Sequence, residues 1–331
     1  METNKTTRRK LLQALALICL TPKLSAAQSK PLVVVAYLSH GSREDLHGTF
    51  FSAFQQGMSD FGWKEGREYR IEARFANSDF ARLETLANEI ATLKPSIIVA
   101  TPATAVRAAA KFSPRTPIVQ ANGNDPVVNG FAVSLAKPGG MITGVTNMLG
   151  DLSEKNLELL MSASPALTRV GFIHEMGSIH ESSVAGARHS LSRFKGVEGI
   201  FAGVARPTDL AAQLSGLKSQ GAQALVILSG AFLASHRKPM LQLAGEYKWP
   251  VVGGLREYVE AGALLSYGAD RKTLCRRAAY FVDRVLKGAK PADLPFEQPT
   301  VFELVLNLKA AKALGITFPQ SLLVRADEVI Q

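Results

Sequence analysis

Cysteine and long apolar runs are both scarce in this chain of 331 residues. It has two cysteines, and its apolar runs are all shorter than the ~20 residues that a membrane-spanning helix needs. Blocks of five or more like charges and nucleic-acid-binding motifs are also missing, so we expect no nucleic-acid partner. The composition, 47% hydrophobic and 20% charged, is typical of a globular protein with one large or two medium domains.

Catalytic motifs are missing as well, including G-x-S-x-G, the P-loop, G-x-G-x-x-G and a Cys-His pair with catalytic spacing. One stretch, "VGFIHEMGSIHESS" (170–183), resembles a zinc hydrolase motif, which requires two histidines four residues apart on one helix face. His174 and His180 are six apart, and on a helix six steps would separate them by about 120° around the axis. We therefore expect no catalytic residue, metal or cofactor, and a zinc hydrolase is only a remote alternative.

The N-terminus has the pattern of a cleavable secretory signal peptide. A basic segment, "TNKTTRRK", precedes the ten apolar-rich residues "LLQALALICL" (11–20), and Ser25-Ala26-Ala27 supplies small residues before a cleavage site. We expect a signal peptide at 1–27 and a periplasmic mature protein. Arg8-Arg9 leaves the twin-arginine route open beside ordinary Sec secretion. A buried N-terminal helix is the alternative interpretation.

Removal of this segment changes the charge and the cysteine content. Five basic residues and one acidic residue leave, a net of +4, so the formal charge falls from +10 to about +6. Cys19 leaves too, and Cys275 alone cannot form an intramolecular disulfide. The stability of the mature protein must therefore come from its hydrophobic cores.

From residue 32 onward, short apolar β-branched runs alternate with amphipathic stretches. This alternation predicts an α/β fold with two doubly wound parallel-sheet lobes. Elements left over after two complete series indicate that the chain recrosses between the lobes through a multi-strand hinge. The predicted strands are 32–38, 69–75, 96–101, 117–121, 142–147, 169–174, 199–204, 224–229, 250–254 and 263–268, with one more before the last helix. The predicted helices are 45–61, 79–93, 103–112, 151–163, 178–194, 208–219, 232–248, 270–287 and one that ends at Gly315.

Several separate blocks carry a family resemblance. They include "SLAKPGGMITGVTN", "REYVEAGALLSYGAD", "LKGAKPADLPFEQPTVFELVLNLKAAKALGITFP" and "LLVRADEVI". In this order they resemble the ABC-transporter substrate-binding proteins grouped with tryptophan and tyrosine receptors. The resemblance implies a type I periplasmic-binding-protein fold with lobe 1 at 28–147 plus about 268–295, and lobe 2 at 148–267 plus about 296–331.

The resemblance also implies a function. A monomeric receptor would capture a small organic solute, such as an amino acid, an aromatic or a carboxylate-bearing compound, by hinge closure over an interlobe cleft. It would then dock transiently on an ABC permease in the inner membrane. The alternative is a periplasmic sensor that passes its closed state to a membrane receptor, because the sequence alone does not separate import from sensing.

The first wall of the cleft is predicted from the carboxyl ends of strands, where open parallel sheets bind ligands. Strand one ends in "SHGSRED", whose Ser39, Gly41 and Ser42 are small or hydroxylated. Strand three ends in "TPATAV", where Thr101 or a neighbour would cap the next helix and Thr104 offers a second hydroxyl. Such a helix start favours a carboxylate. An ordinary N-cap without a ligand is the alternative.

The loop "NGNDPVVNG" follows strand four on the same wall and matches a Gly/Asp-Pro loop of the family. Asn122 and Asp125 are its candidate ligand residues, and Asp125 could pair with a ligand ammonium. The same letters favour an Asn-Gly and Asp-Pro turn, so a purely structural role is the alternative.

The second wall is predicted from the loops after later strands. Met176 and Ser178 would face the ligand in the first of these loops, Ser229 and Phe232 in "SGAFLAS", and Glu257 in "GGLREY". Phe232 could stack on a ligand ring or lie in the core. Many relatives have more charge or bulk in the last two loops, so the resemblance implies a wider or more apolar pocket here.

Overall fold

The computed structural model describes residues 31–44, 46–147, 152–176, 181–228 and 230–331. The predicted signal peptide at 1–27 lies outside these ranges. Within them, the α/β alternation predicted from the sequence is present. Runs rich in valine and isoleucine form strands, because branched side chains pack well on both faces of a buried parallel sheet.

The first sheet contains five parallel strands in the order β2-β1-β3-β4-β5. In register, Ser39 at the end of β1 pairs with Thr101 at the end of β3. The carboxyl ends of these strands therefore lie on one edge of the sheet. The strands are β1 (Val33–Ser39), β2 (Tyr69–Phe75), β3 (Ile97–Thr101), β4 (Ile118–Gly123) and β5 (Ile142–Thr146).

Three helices connect these strands: α1 (Leu46–Asp60), α2 (Phe80–Thr92) and α3 (Ala103–Phe112). Asp79 caps α2, since its side chain accepts a hydrogen bond from the Ala81 amide. Phe50, Phe54 and Met58 of α1 recur every four residues and are fully buried against the sheet.

The second sheet contains seven strands in the order β12-β11-β10-β9-β8-β6-β7. All neighbouring pairs are parallel except β10 and β11, which are antiparallel. This pair departs from the predicted parallel sheet, because the helix between the two strands, Arg271–Leu286, packs on the first sheet and the chain enters β11 from there. The strands are β6 (Arg169–Glu175), β7 (Glu198–Val204), β8 (Ala224–Ile227), β9 (Val251–Gly253), β10 (Leu265–Ala269), β11 (Phe302–Asn307) and β12 (Glu328–Ile330).

The helix predicted at 232–248 is wrong as a single element, because the structure divides it at His236. Pro239 explains the break: it has no amide proton to bond to the Ser235 carbonyl, and its ring would clash with that carbonyl in a continuous helix. The helices in chain order are α4 (Ser153–Ala163), α5 (Glu181–Leu191), α6 (Leu210–Ser219), α7 (Ala231–Ser235), α8 (Arg237–Glu246), α9 (Arg256–Glu260), α10 (Arg271–Leu286), α11 (Leu308–Leu314) and α12 (Gln320–Leu323).

The chain passes between the two sheets three times. It leaves the first sheet after β5 and returns after β10, because Cys275, Ala278 and Val282 of α10 pack in one core with β1 and α1. It leaves again before β11, just after Glu297 bridges to Val145 of β5. These crossings are the multi-strand connection that the leftover elements predicted.

Candidate functional site

Three polar residues meet at the carboxyl edge of the first sheet. Ser39, Thr101 and Asn122 end or nearly end β1, β3 and β4, and all three are fully buried. The His40 amide donates to the Thr101 carbonyl at 3.1 Å, and the Thr101 hydroxyl donates to the Asn122 carbonyl at 3.1 Å. The residues predicted here from strand ends are therefore neighbours.

The prediction that a side chain at Thr101 or a neighbour caps α3 is wrong. Pro102 holds the N-cap position and makes no side-chain cap hydrogen bond, because the Thr101 hydroxyl is directed to β4 instead. Thr104 lies in the first turn of α3, and its buried hydroxyl oxygen has no hydrogen-bond partner among the described residues. Thr104 therefore retains an unused hydrogen-bonding group near the helix start.

The loop after β1 turns tightly around Gly41 and Ser42. The Gly41 carbonyl accepts from the Asn77 amide at 3.0 Å, and the Ser42 hydroxyl accepts from the Glu44 amide at 3.2 Å. The same hydroxyl donates to the Glu44 carboxylate. Ser42 is half-buried, so it lies nearer the protein surface than the fully buried Ser39.

Asp125 shapes the loop after β4. Its Oδ1 accepts from the Val127 amide at 2.7 Å and from the Val128 amide at 3.4 Å, which is the turn geometry that Asp-Pro favours. Asp125 is half-buried. A pairing of its carboxylate with a ligand ammonium stays a prediction.

The second wall follows the carboxyl ends of β6 and β8. Met176 follows β6 with 63% of its surface exposed, and its amide donates to the Val204 carbonyl at 2.9 Å. Phe232 is 6% exposed and packs in the core with its ring 4.3 Å from that of His236, which matches the core alternative. Ser178 and Ser229 lie outside the described residues, and their ligand role stays a prediction.

Glu175 supplies a carboxylate to this wall that the sequence did not assign. Its Oε1 accepts from the Leu233 amide at 3.0 Å at the start of α7. A Cβ built on Gly230 would lie 2.3 Å from that oxygen, so the carboxylate occupies the space over the glycine. The second wall therefore has a carboxylate at the end of β6, next to the "SGAFLAS" loop.

A small recess lies between α4 and the ends of β8 and β9. At about 10 Å³ it has room for about one water molecule. Asn156 of α4 is buried, and its Nδ2 donates to the Leu152 carbonyl at 3.0 Å while its Oδ1 has no partner among the described residues. Asn156 was missed because a single asparagine on an amphipathic helix has no positional signal. The recess is lined by Ser153, Asn156, Val226, Ile227, Leu228, Gly230, Gly254, Leu255 and Tyr258.

Arg271 connects the two walls. It is the first residue of α10, and its guanidinium lies 4.6 Å from the centre of the Phe50 ring. With the Asn122 amide oxygen facing it, that oxygen accepts from Nε at 2.8 Å and from Nη2 at 3.1 Å. On the other side, Nη1 lies 3.8 Å from Oε2 of Glu257, which belongs to α9 beside the second sheet.

The sequence held a weak signal for Arg271. A basic residue in the first turn of a helix opposes the helix macrodipole, so some other contact must stabilise it there. The Asn122 and Glu257 contacts supply that stabilisation. Glu257 itself was a predicted site residue, and the structure places it in this buried contact.

A cavity of about 340 Å³ adjoins this contact. Glu303 at its edge has a raised pKa, first because burial disfavours its charge and then because Asp270 is close, while Arg256 acts in the opposite direction. The cavity combines acidic and basic groups. It is lined by Arg256, Glu257, Glu260, Ala269, Asp270, Arg271, Lys272 and Glu303.

Behind Arg271 the residues are apolar or kept neutral. Burial raises the pKa of the Cys275 thiol to about 12, more than Arg271 lowers it. Burial also raises the pKa of the Tyr37 hydroxyl, with Cys275 adding to the effect. For Tyr258 on the second wall, burial and then the Glu175 carboxylate raise the pKa. These groups stay uncharged near neutral pH.

Within the described ranges, no cluster of three or more His, Cys, Asp or Glu side chains is arranged to hold a metal ion. His174 is the next-to-last residue of β6, with Nδ1 at 3.0 Å from the Glu175 carbonyl oxygen, while His180 lies outside those ranges. No helix among the same residues is long and apolar enough to span a membrane.

Comparison with known proteins adds the family. The family model described as ABC transporter substrate binding protein matches residues 32–330. A curated relative, the tyrosine-binding protein of Clostridioides difficile (strain R20291), is 24% identical over 294 residues, which is 89% of this chain and 83% of that protein.

Solved structures agree on the fold. The ABC domain of Streptococcus pneumoniae in complex with L-Trp superposes with a TM-score of 0.84 at 23% identity, over 90% of this chain and all of that one. A conserved domain protein of Vibrio cholerae superposes with a TM-score of 0.82 at 24% identity, over 90% of this chain and 99% of that one. Both similarities bear out the predicted two-lobed fold.

Proposed function

We propose, on the premise that this chain belongs to the family of ABC transporter substrate-binding proteins, that it captures a small organic solute between its two lobes for an ABC importer. The predicted family resemblance is confirmed by that membership. The family is one of solute-binding proteins and not of enzymes, in agreement with the missing catalytic motifs. The import step and the solute are the parts that we propose.

One observation supports the interlobe site most strongly. The side chains of Arg271, packed with the first sheet, and Glu257, beside the second sheet, approach to 3.8 Å in a buried position. Arg271 contacts Asn122 near the end of β4, and Glu257 follows the end of β9 by four residues, so both lie near strand ends of the kind where parallel sheets bind ligands. A solute held there would touch both lobes and favour the closed form by its differential affinity for that form.

The three crossings support a hinge. We propose that the lobes follow the predicted limits, with 28–147 plus about 268–295 in lobe 1 and 148–267 plus about 296–331 in lobe 2. The crossings after β5, after β10 and before β11 lie near these limits. Rotation about three neighbouring crossings would open the cleft without unfolding either core.

The relatives favour an amino acid as the solute. One is named a tyrosine-binding protein, and another was solved with L-Trp. On the second wall, Glu175 at the end of β6 supplies a carboxylate. We propose an amino acid, with aromatic side chains as the first class to test.

We further propose that the mature chain works in the periplasm as a monomer and docks on a permease. The family is typically periplasmic or extracellular, and the 1–27 segment has the composition of a signal peptide. Docking of the closed form would hand the solute to the membrane complex. A Sec or twin-arginine signal would serve equally well for export.

The proposal is tested by the melting temperature of the mature protein, refolded to remove carried-over ligand. The panel contains the twenty amino acids, organic acids, amines, sugars, short peptides and zinc. A solute at 100 times its Kd adds ~2.7 kcal/mol of stability, which is easily measured as a shift. We expect a shift with one organic class. A shift with zinc alone, or with no compound, would overturn the proposal.

A further inference from the structure

Arg271 and Glu257 form a buried pair whose hydrogen-bonding capacity is incompletely used. Each side chain is 9% exposed, and the 3.8 Å between Nη1 and Oε2 is too long for a hydrogen bond. Neither atom has a hydrogen-bond partner among the described residues. Buried charges are normally paired and fully hydrogen-bonded, because an unsatisfied charge is costly. One donor and one acceptor are therefore available side by side.

The guanidinium is held so that this donor faces Glu257. Nε and Nη2 donate to the Asn122 amide oxygen, and the Phe50 ring lies 4.6 Å from the guanidinium carbon. Arginine stacked on an aromatic ring and fixed along one edge loses little further entropy when its remaining donor binds an anion. The cavity of about 340 Å³ that both residues line gives space beside the pair.

We propose that Arg271 binds the carboxylate and Glu257 the ammonium of an α-amino acid, so that the receptor recognises the zwitterion. The inference deepens the proposed function and rests on it. A zwitterion carries an acceptor and a donor a few ångströms apart, with the signs that Nη1 and Oε2 require. A carboxylic acid alone would lie against the like charge of Glu257, and an amine alone against Arg271. The pair therefore selects against compounds that carry only the carboxylate or only the ammonium group.

Two matched series of compounds test the proposal on the unaltered protein by titration calorimetry. The first is L-tyrosine, tyramine and 3-(4-hydroxyphenyl)propionate, and the second is L-tryptophan, tryptamine and indole-3-propionate. The twenty amino acids are screened beside them. We expect an amino acid to bind, and its amine and acid analogues to bind about 30-fold or more weakly, since each loses a buried charged hydrogen bond and leaves a partner unpaired.

Two isosteric or length-matched variants locate the effect. Glu257→Gln removes the charge but not the shape, and Arg271→Met keeps the chain on Phe50 without the guanidinium. Glu198→Gln, and Arg276→Met on α10, are the controls, because each belongs to an exposed ion pair, with Arg169 and with Asp60. We expect weaker amino-acid binding only in the first two variants. Melting curves without ligand verify that all four are folded.

Three outcomes would overturn the proposal. The acid or amine analogue could bind as tightly as the amino acid, or none of the twenty amino acids could bind. The Glu257 and Arg271 variants could also bind like the unaltered protein while melting at lower temperature, which would make the pair a structural contact. In each case a solute of another class that still raises the melting temperature would leave the proposed receptor function intact. If no solute at all binds, the proposed function fails as well.

Discussion

At the scale of single residues, Gly230 leaves no room for a side chain next to the Glu175 carboxylate. An added Cβ would lie 2.3 Å from Oε1, and Oε1 accepts from the Leu233 amide at 3.0 Å. Gly230→Ala would displace the carboxylate from the start of α7. We expect a loss of about 1 kcal/mol in the free energy of unfolding, the usual cost of losing a helix cap, measured by urea denaturation.

A double variant shows whether the carboxylate causes that loss. In a Glu175→Ala background the obstruction is gone, so adding Gly230→Ala should cost clearly less than it does alone. Strictly additive losses would mean that Gly230 is required for another reason.

The thiol of Cys275 should be unreactive toward thiol reagents in the folded protein. Burial raises the pKa of its thiol to about 12, from an ordinary value of 9.0. Since the folded pKa is above the unfolded one, the linked stability is complete below pH ~9 and is lost as the pH rises from about 9 toward 12. At pH 8, Ellman's reagent should react only after denaturation. A Met176→Cys variant, exposed at that position, is the positive control, and rapid labelling of folded Cys275 would contradict the assignment.

Single site residues were harder to predict than the strands that carry them. The meeting of Ser39, Thr101 and Asn122 at one sheet edge could be predicted, because the carboxyl end of a parallel strand is visible in the sequence. Arg271, Asn156 and Glu175 were not assigned, because each has a hydrogen-bond partner more than 50 positions away: Asn122, Tyr267 and Leu233, respectively. A local pattern does not identify the distant partner in such a contact.

At the scale of elements, α1 and α10 pack closely because Gly57 has no side chain. A Cβ there would lie 2.2 Å from the Arg276 carbonyl oxygen and 2.8 Å from the Ala279 Cβ. The nearer atom belongs to the backbone and cannot rotate away. Gly57→Ala should therefore lower the free energy of unfolding by about 1–3 kcal/mol, as overpacking does, measured from the denaturant midpoint.

Gly216→Ala is the matched control for that variant. Gly216 is also inside a helix, α6, but a Cβ there meets open space. Alanine has the higher helix propensity, so the control should be neutral or more stable by up to about 1 kcal/mol. Equal losses in both variants would contradict the packing explanation.

Most element boundaries were predicted to within two residues, because periodicity and caps are local signals. Asp79 and Gly315 mark a helix start and a helix end, and Gly315 has the left-handed φ of 69° that favours glycine at this position. The break at His236 could have been predicted from Pro239. The short strand Glu328–Ile330 could not, since three residues carry no period, and it pairs with β11 only through the tertiary fold.

At the scale of the whole molecule, the two sheets present their strand ends to each other across three crossings. Under the proposed function, that arrangement would turn a local binding event into a change of lobe orientation, because a solute touching both walls would stabilise the closed form. The charged pair of Arg271 and Glu257 lies where the two lobes meet. Its two residues belong to helices that flank β10, the strand before the second crossing.

The distance between the loop after β4 and the loop after β6, on opposite sides of the proposed cleft, tests lobe closure most directly. Val128, 52% exposed in the loop after β4, and Met176, after β6, are replaced by cysteine and spin-labelled, while buried Cys275 stays in place. Pulsed electron paramagnetic resonance measures the distance between the two spin labels, first without solute and then with a saturating amount of the compound that raises the melting temperature. The account predicts a shorter, narrower distribution with solute. An identical distribution in both samples would contradict hinge closure as the binding mechanism.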